Sequence, residues 1–248
     1  MFPWRPKACP CDPAAKGWVE QRLAWLAGQF GDSAFTGRPV VLPTAAFFPD
    51  RYDDSEASAR AMFDRICTYM GADPHRVDLE LTADAASMDL VDEQGRALGG
   101  AAGTFSLLGG RVSITLDRSD LGDPMALVGT IAHELAHLRL LGEGRLSPRN
   151  FDHELVTDLT VVFMGMGIFL ANTPRNWPSD MKTWPQTQLN RPEYMSPAMF
   201  GYALAHLAWH RGERWPAWAR YLAPAPRAEL RASLRYLLRT ADSTFPPQ

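Results

Sequence analysis

The chain has 248 residues, 46% of them hydrophobic, with 25 basic and 28 acidic side chains and a formal net charge of −3. That length and apolar content suit one large core or two smaller lobes and argue against intrinsic disorder. The nearly balanced charge gives no electrostatic reason to expect DNA, RNA or an anionic membrane as partner.

Three cysteines, Cys9, Cys11 and Cys67, are too few and too odd in number for a disulfide framework. Residues 1–7 have no apolar run behind their basic residues, so a reducing, cytoplasmic setting is the expectation. Cys9-Pro10-Cys11 has no second pair to complete a metal site and reads as unpaired surface thiols.

Val19, Leu23, Leu26 and Phe30 recur at helical spacing before Gly31, which predicts an amphipathic helix over residues 15–30. Val40 to Leu42 is a short strand candidate. A helix capped by Asp54 or Ser55 should bury Ala59, Met62, Phe63, Ile66 and Met70 and end at Gly71. Val77 to Leu81 alternates as a strand does, and residues 84–102, with Gly95, Gly99 and Gly100, read as a loop or irregular ribbon. Thr104 to Leu108 and Arg111 to Leu116 flank Gly109-Gly110 as a hairpin, with Val112, Ile114 and Leu116 on one face.

Asp123-Pro124 opens the next helix, with Asp as cap and Pro at the first helical position, and Gly142 is its stop. A further helix should start near Ser147-Pro148 or Asn150 and run to about Ala171. Its apolar part, Leu155 to Ala171, is shorter than the roughly 20 residues a bilayer needs and holds Asp158, so a buried core helix is expected rather than a membrane span. Gly165 and Gly167 within it point to a close neighbour. Residues 172–192 carry Pro174, Pro178, Pro185 and Pro192 with Trp177 and Trp184, too broken for regular structure, and read as a cover over the core or a cleft wall. Ser196-Pro197 starts a helix to about Arg211, and Leu230, Leu234, Leu237 and Leu238 mark a final one.

The motif that carries chemistry is His133-Glu134-Leu135-Ala136-His137. On a helix, positions i and i+4 lie one above the other, so both imidazoles reach one ion while Glu134, roughly 100° around, faces a water beside it. A catalytic zinc keeps three protein ligands and one open position, which leaves one ligand to find. Asp152, His153, Glu154 and Asp158 are the nearby candidates, and neighbours on a helix diverge too far for all of them to face the ion.

With Glu154-Leu155-Val156-Thr157-Asp158 on the following helix, the chain resembles the gluzincins, the thermolysin-like zinc peptidases in which HExxH is followed by Glu-x-x-x-Asp. The resemblance covers about residues 100–172. It implies Zn2+ held by His133, His137 and Glu154. Asp158, one turn beyond Glu154, would accept the free ring N–H of a liganding histidine and so fix its tautomer. Tyr202 and His206 are the candidates for stabilising the oxyanion, the role a C-terminal Tyr or His has in that class, and a strand of the hairpin, Gly103 to Leu107, is the candidate edge for an extended substrate.

The expected fold is therefore α+β and zincin-like: one unit over residues 1–248, with an α+β lobe (1–142) ending in the HExxH helix and a mostly helical lobe (143–248). The expected activity is zinc-dependent hydrolysis of a peptide or protein substrate, with Glu134 as general base taking the water's proton and passing it to the leaving nitrogen. Two other readings stand beside it: a non-peptidase zinc amidohydrolase, and a latent or silent zincin-like binding or regulatory protein. Peptide deformylase also uses HExxH but takes a cysteine ligand, and Cys67 has no matching context. Neither nucleic acid nor membrane is expected as partner, and the oligomeric state is left open by the sequence.

Overall fold

The computed structural model describes residues 8–83, 89–91, 97–100, 103–108, 111–173 and 194–247. In chain order the helices are α1 (Pro13–Phe30), α2 (Asp32–Gly37), α3 (Glu56–Met70), α4 (Pro124–His137), α5 (His153–Phe163), α6 (Gly167–Asn172), α7 (Pro197–His210) and α8 (Pro224–Thr240). The strands are β1 (Val77–Thr82), β2 (Asp89–Val91), β3 (Ala97–Gly100), β4 (Gly103–Leu108) and β5 (Arg111–Asp117). Helices and a small sheet in largely separate stretches make this α+β at the coarse level. The chain divides into two units, Pro43–Pro148 and Met1–Leu42 with Arg149–Gln248. The second unit is discontinuous in sequence and takes in the first two helices.

In the unit Pro43–Pro148, the sheet has the order β1-β5-β4, with β1 parallel and β4 antiparallel to β5. Val77 pairs with Val112, Leu79 with Ile114 and Leu81 with Leu116, so the alternation read from the sequence becomes one apolar face. The predicted hairpin is present as β4 and β5, its Gly109-Gly110 turn lying outside the described residues. Of residues 84–102, only the short antiparallel pair β2–β3 is described. Helix α3 starts where Ser55 accepts the Ser58 N–H and ends at Gly71, whose φ of 66° suits the left-handed C-cap. It buries Ala59, Phe63, Ile66, Cys67 and Met70, leaving Met62 half-buried.

In the other unit, α1 begins under a cap, Asp12 accepting the Ala14 and Ala15 N–H groups with Pro13 at the first helical position. Phe35 of α2, a helix too short to announce itself by periodicity, stacks on Phe163 at 5.1 Å. The segment 40–42, expected as a strand, forms none; the Val41 N–H donates to the Gly165 carbonyl at 2.9 Å instead. The single helix expected to about Ala171 is two, α5 and α6, broken at Met164 to Met166. The cause lies at Gly165, whose φ is 87° and whose absent side chain admits the Pro39 carbonyl to 2.4 Å of where a Cβ would stand. Gly201 similarly lets α8 approach α7, since a Cβ there would lie 2.4 Å from Glu229 Cβ.

Cys9, Cys11 and Cys67 are free. Cys11 is buried, not the surface thiol expected, and Cys67 is buried as well. Residues 174–193, the bulk of the proline- and tryptophan-rich segment, lie outside the described residues. No helix among the described residues is long and apolar enough to cross a membrane.

Gly165→Ala combines a left-handed backbone with a backbone clash, so it should destabilise the protein by about 3 kcal/mol. Urea denaturation monitored by circular dichroism measures this, and a midpoint equal to the parent's would contradict the packing described.

Candidate metal centre

Helix α4 is set up by its own sequence. Asp123 accepts the Met125 and Ala126 N–H groups, both at 3.0 Å, and Pro124 fits the first helical position. From Leu127 to Leu138 every residue except Thr130 is buried, which marks a core helix rather than a surface one. His133, Glu134 and His137 are buried with the rest, at 6%, 5% and 7% exposure. The two imidazole rings lie 4.8 Å apart, centroid to centroid, and nearly perpendicular at 86°.

After His137 the helix widens into one π turn, Leu138–Gly142, a geometry often found beside functional sites. Gly142 closes it where a Cβ would come within 2.8 Å of Leu138 Cδ1 and 3.6 Å of the Phe105 ring. Phe105 belongs to β4 and lies 5.9 Å from the His137 ring. Sequence reasoning missed this contact because nothing local ties residue 105 to residue 137.

Glu154 occupies the first turn of α5, with Oε1 3.2 Å from His153 Nδ1. Glu154 belongs to a different unit of the chain from His133 and His137, and the three side chains are of the types that ligate a metal ion. Two imidazoles and one carboxylate also match the donor set of catalytic zinc.

The neighbouring carboxylates Asp152 and Asp158 each accept hydrogen bonds. Asp152 Oδ2 accepts from Trp18 Nε1 and from two nitrogens of Arg22. Asp158 is fully buried one turn beyond Glu154, and its Oδ2 accepts the Met195 N–H at 2.9 Å. Cys67 is buried in α3, and burial pushes its thiol up to about 12, away from the thiolate form that a metal ligand needs.

Tyr202 and His206, the candidate oxyanion donors, are fully buried on α7. The Tyr202 hydroxyl donates to Glu20 Oε1 at 2.6 Å, so it offers no free donor to a substrate. His206 Nε2 is 3.9 Å from the same carboxylate, and its ring packs against Tyr202, Trp209, His210 and Phe245. Glu20 also receives the Thr244 N–H and hydroxyl, each at 2.9 Å, and an ion pair from Lys16 at 3.0 Å. These two side chains therefore belong to a buried polar hub that pins the segment after α8.

No protein-family model matches the chain, and no curated protein or solved structure is significantly similar to it.

The hub makes stability depend on pH. Burial alone would raise the Glu20 carboxyl, but the Thr244 N–H, the Tyr202 hydroxyl and Lys16 outweigh it and hold it at about 2, against an ordinary 4.5. Its stabilisation is present above pH 4.5 and is lost as pH falls towards 2. Burial lowers His206 to about 3 from 6.5, despite Glu20 beside it, so the unfolded chain gains a proton below pH 6.5 that the native ring refuses. Both effects weaken the fold in acid. The denaturation midpoint should fall from pH 6.5 downward, and His206→Gln should flatten the portion between 6.5 and 4.5; an unchanged slope in that variant would assign the dependence to other groups.

Proposed function

We propose that the protein is a gluzincin-like zinc hydrolase that cleaves peptide bonds, with His133, His137 and Glu154 as ligands and Glu134 as general base. The observation that carries this reading is the arrangement on helix α4, where the His133 and His137 rings lie 4.8 Å apart and Glu134, between them in sequence, is buried, with Glu154 in the first turn of the helix that follows. Zinc held there would polarise a scissile carbonyl and acidify a water.

Glu134 would take the water's proton and deliver it to the departing amine nitrogen, a role that requires a carboxylate next to the ligands and sheltered from bulk solvent. The buried apolar surroundings of α4 strengthen each charge interaction made there. Strand β4 supports a peptide as substrate. Among the described residues it is an edge of its sheet, with β5 as its neighbour in the order β1-β5-β4, and its Phe105 lies beside His137. An extended chain adding to that edge would be bound through its backbone, with side chains left to set preference. Asp158 is proposed to steady the site from one turn beyond Glu154.

Glu134→Gln keeps shape and ligands but removes the base. Cleavage of a peptide library, followed by mass spectrometry, should slow about 10²–10⁴-fold with zinc content unchanged; cleavage at the parental rate would remove Glu134 from the mechanism. Glu154→Ala should weaken zinc binding in a chelator competition, whereas parental zinc affinity would place the third ligand elsewhere.

A further inference from the structure

Asp152 stands at the N-cap of α5, where an aspartate ordinarily accepts a free N–H of the first turn. Its side chain makes no such bond. Oδ2 instead takes three donors from α1: Trp18 Nε1 at 2.9 Å, Arg22 Nε at 2.9 Å and Arg22 Nη2 at 2.6 Å. The carboxylate is wholly buried and the arginine only one-fifth exposed, at 20%. A charge removed from water to this degree is held only by paired, well-aligned donors, and both guanidinium N–H groups converge on the one oxygen.

The first turn of a helix has unsatisfied N–H groups and is prone to fray. Glu154 lies in that turn, two residues after Asp152. A metal ligand on a frayed turn must be ordered when the ion binds, at a cost to affinity. We infer that Asp152, held by Arg22 and Trp18, is a positioning residue for the metal centre, its tether to α1 fixing the backbone from which Glu154 projects. The inference rests on the proposed zinc site. Diverting the aspartate from its local capping role to a tether across 130 positions of sequence is what a fixed ligand requires.

The test uses the full chain loaded with zinc for affinity and with cobalt(II), whose visible absorption bands report ligand geometry. Asp152→Asn preserves shape but removes the charge. The expected result is a far-UV circular dichroism spectrum like the parent's, zinc affinity about tenfold weaker or more, and altered cobalt bands. A folded Asp152→Asn protein with parental affinity and bands overturns the inference. Should that variant fail to fold, Trp18→Phe and Arg22→Lys decide: altered bands with intact secondary structure in either one support the tether, and parental bands in both overturn it. Cobalt bands that are lost in His133→Ala but indifferent to Asp152 overturn the positioning role alone. Bands indifferent to His133 overturn the zinc assignment and the inference with it.

Discussion

Two imidazoles and a carboxylate are buried on a single turn of α4, in a helix otherwise made of leucine, isoleucine, valine, alanine and glycine along its buried length. Burying one polar group without a partner costs roughly 2–7 kcal/mol. A stretch carrying three buried polar side chains is therefore tolerable only where partners are built around it, and a divalent cation is among the strongest that nitrogen and carboxylate donors accept. The features nearby serve that constraint. A double cap at Asp123 fixes where α4 starts, the π turn after His137 carries the chain away without exposing the histidines, and Phe105 closes apolar surface against one ring.

The helical unit meets the same constraint by ordinary hydrogen bonding. Glu20 is buried but satisfied by the Thr244 N–H and hydroxyl, the Tyr202 hydroxyl and Lys16. Asp152 is satisfied on one oxygen by Trp18 and Arg22. Both ring nitrogens of His206 are buried without a hydrogen-bond partner, as are Asp152 Oδ1 and Ser233 Oγ. Burial keeps the His206 ring neutral, so acid acts on the helical unit by two routes at once, protonating the Glu20 carboxylate and charging the histidine.

The longer regular elements were legible because each has a local cause: Ser55, Asp123 and Ser196 as caps, Gly71 as a left-handed stop, and alternation along Val77 to Leu81 and Val112 to Leu116. The pair His133 and His137 was legible for the same reason, being set by helix pitch alone. What escaped were consequences of distant contacts. The break at Gly165 follows from the Pro39 carbonyl, the fate of Val40 to Leu42 from a bond to that same glycine, and the tie of α1 to α5 from Asp152 finding Trp18 and Arg22. Tyr202 and His206 do share a helix face, as their spacing predicts. That the face is buried, with the hydroxyl already donated to Glu20, depends on a residue 182 positions away and on nothing near them in the sequence.

The central claim is that His133, His137 and Glu154 hold a zinc ion beside Glu134. X-ray absorption at the zinc edge of the purified, zinc-loaded protein tests it most directly. The account predicts about four light ligands at roughly 2.0–2.1 Å, with the multiple-scattering signature of two imidazoles and no sulfur. A sulfur shell near about 2.3 Å, or zinc bound with no imidazole signature, would contradict it.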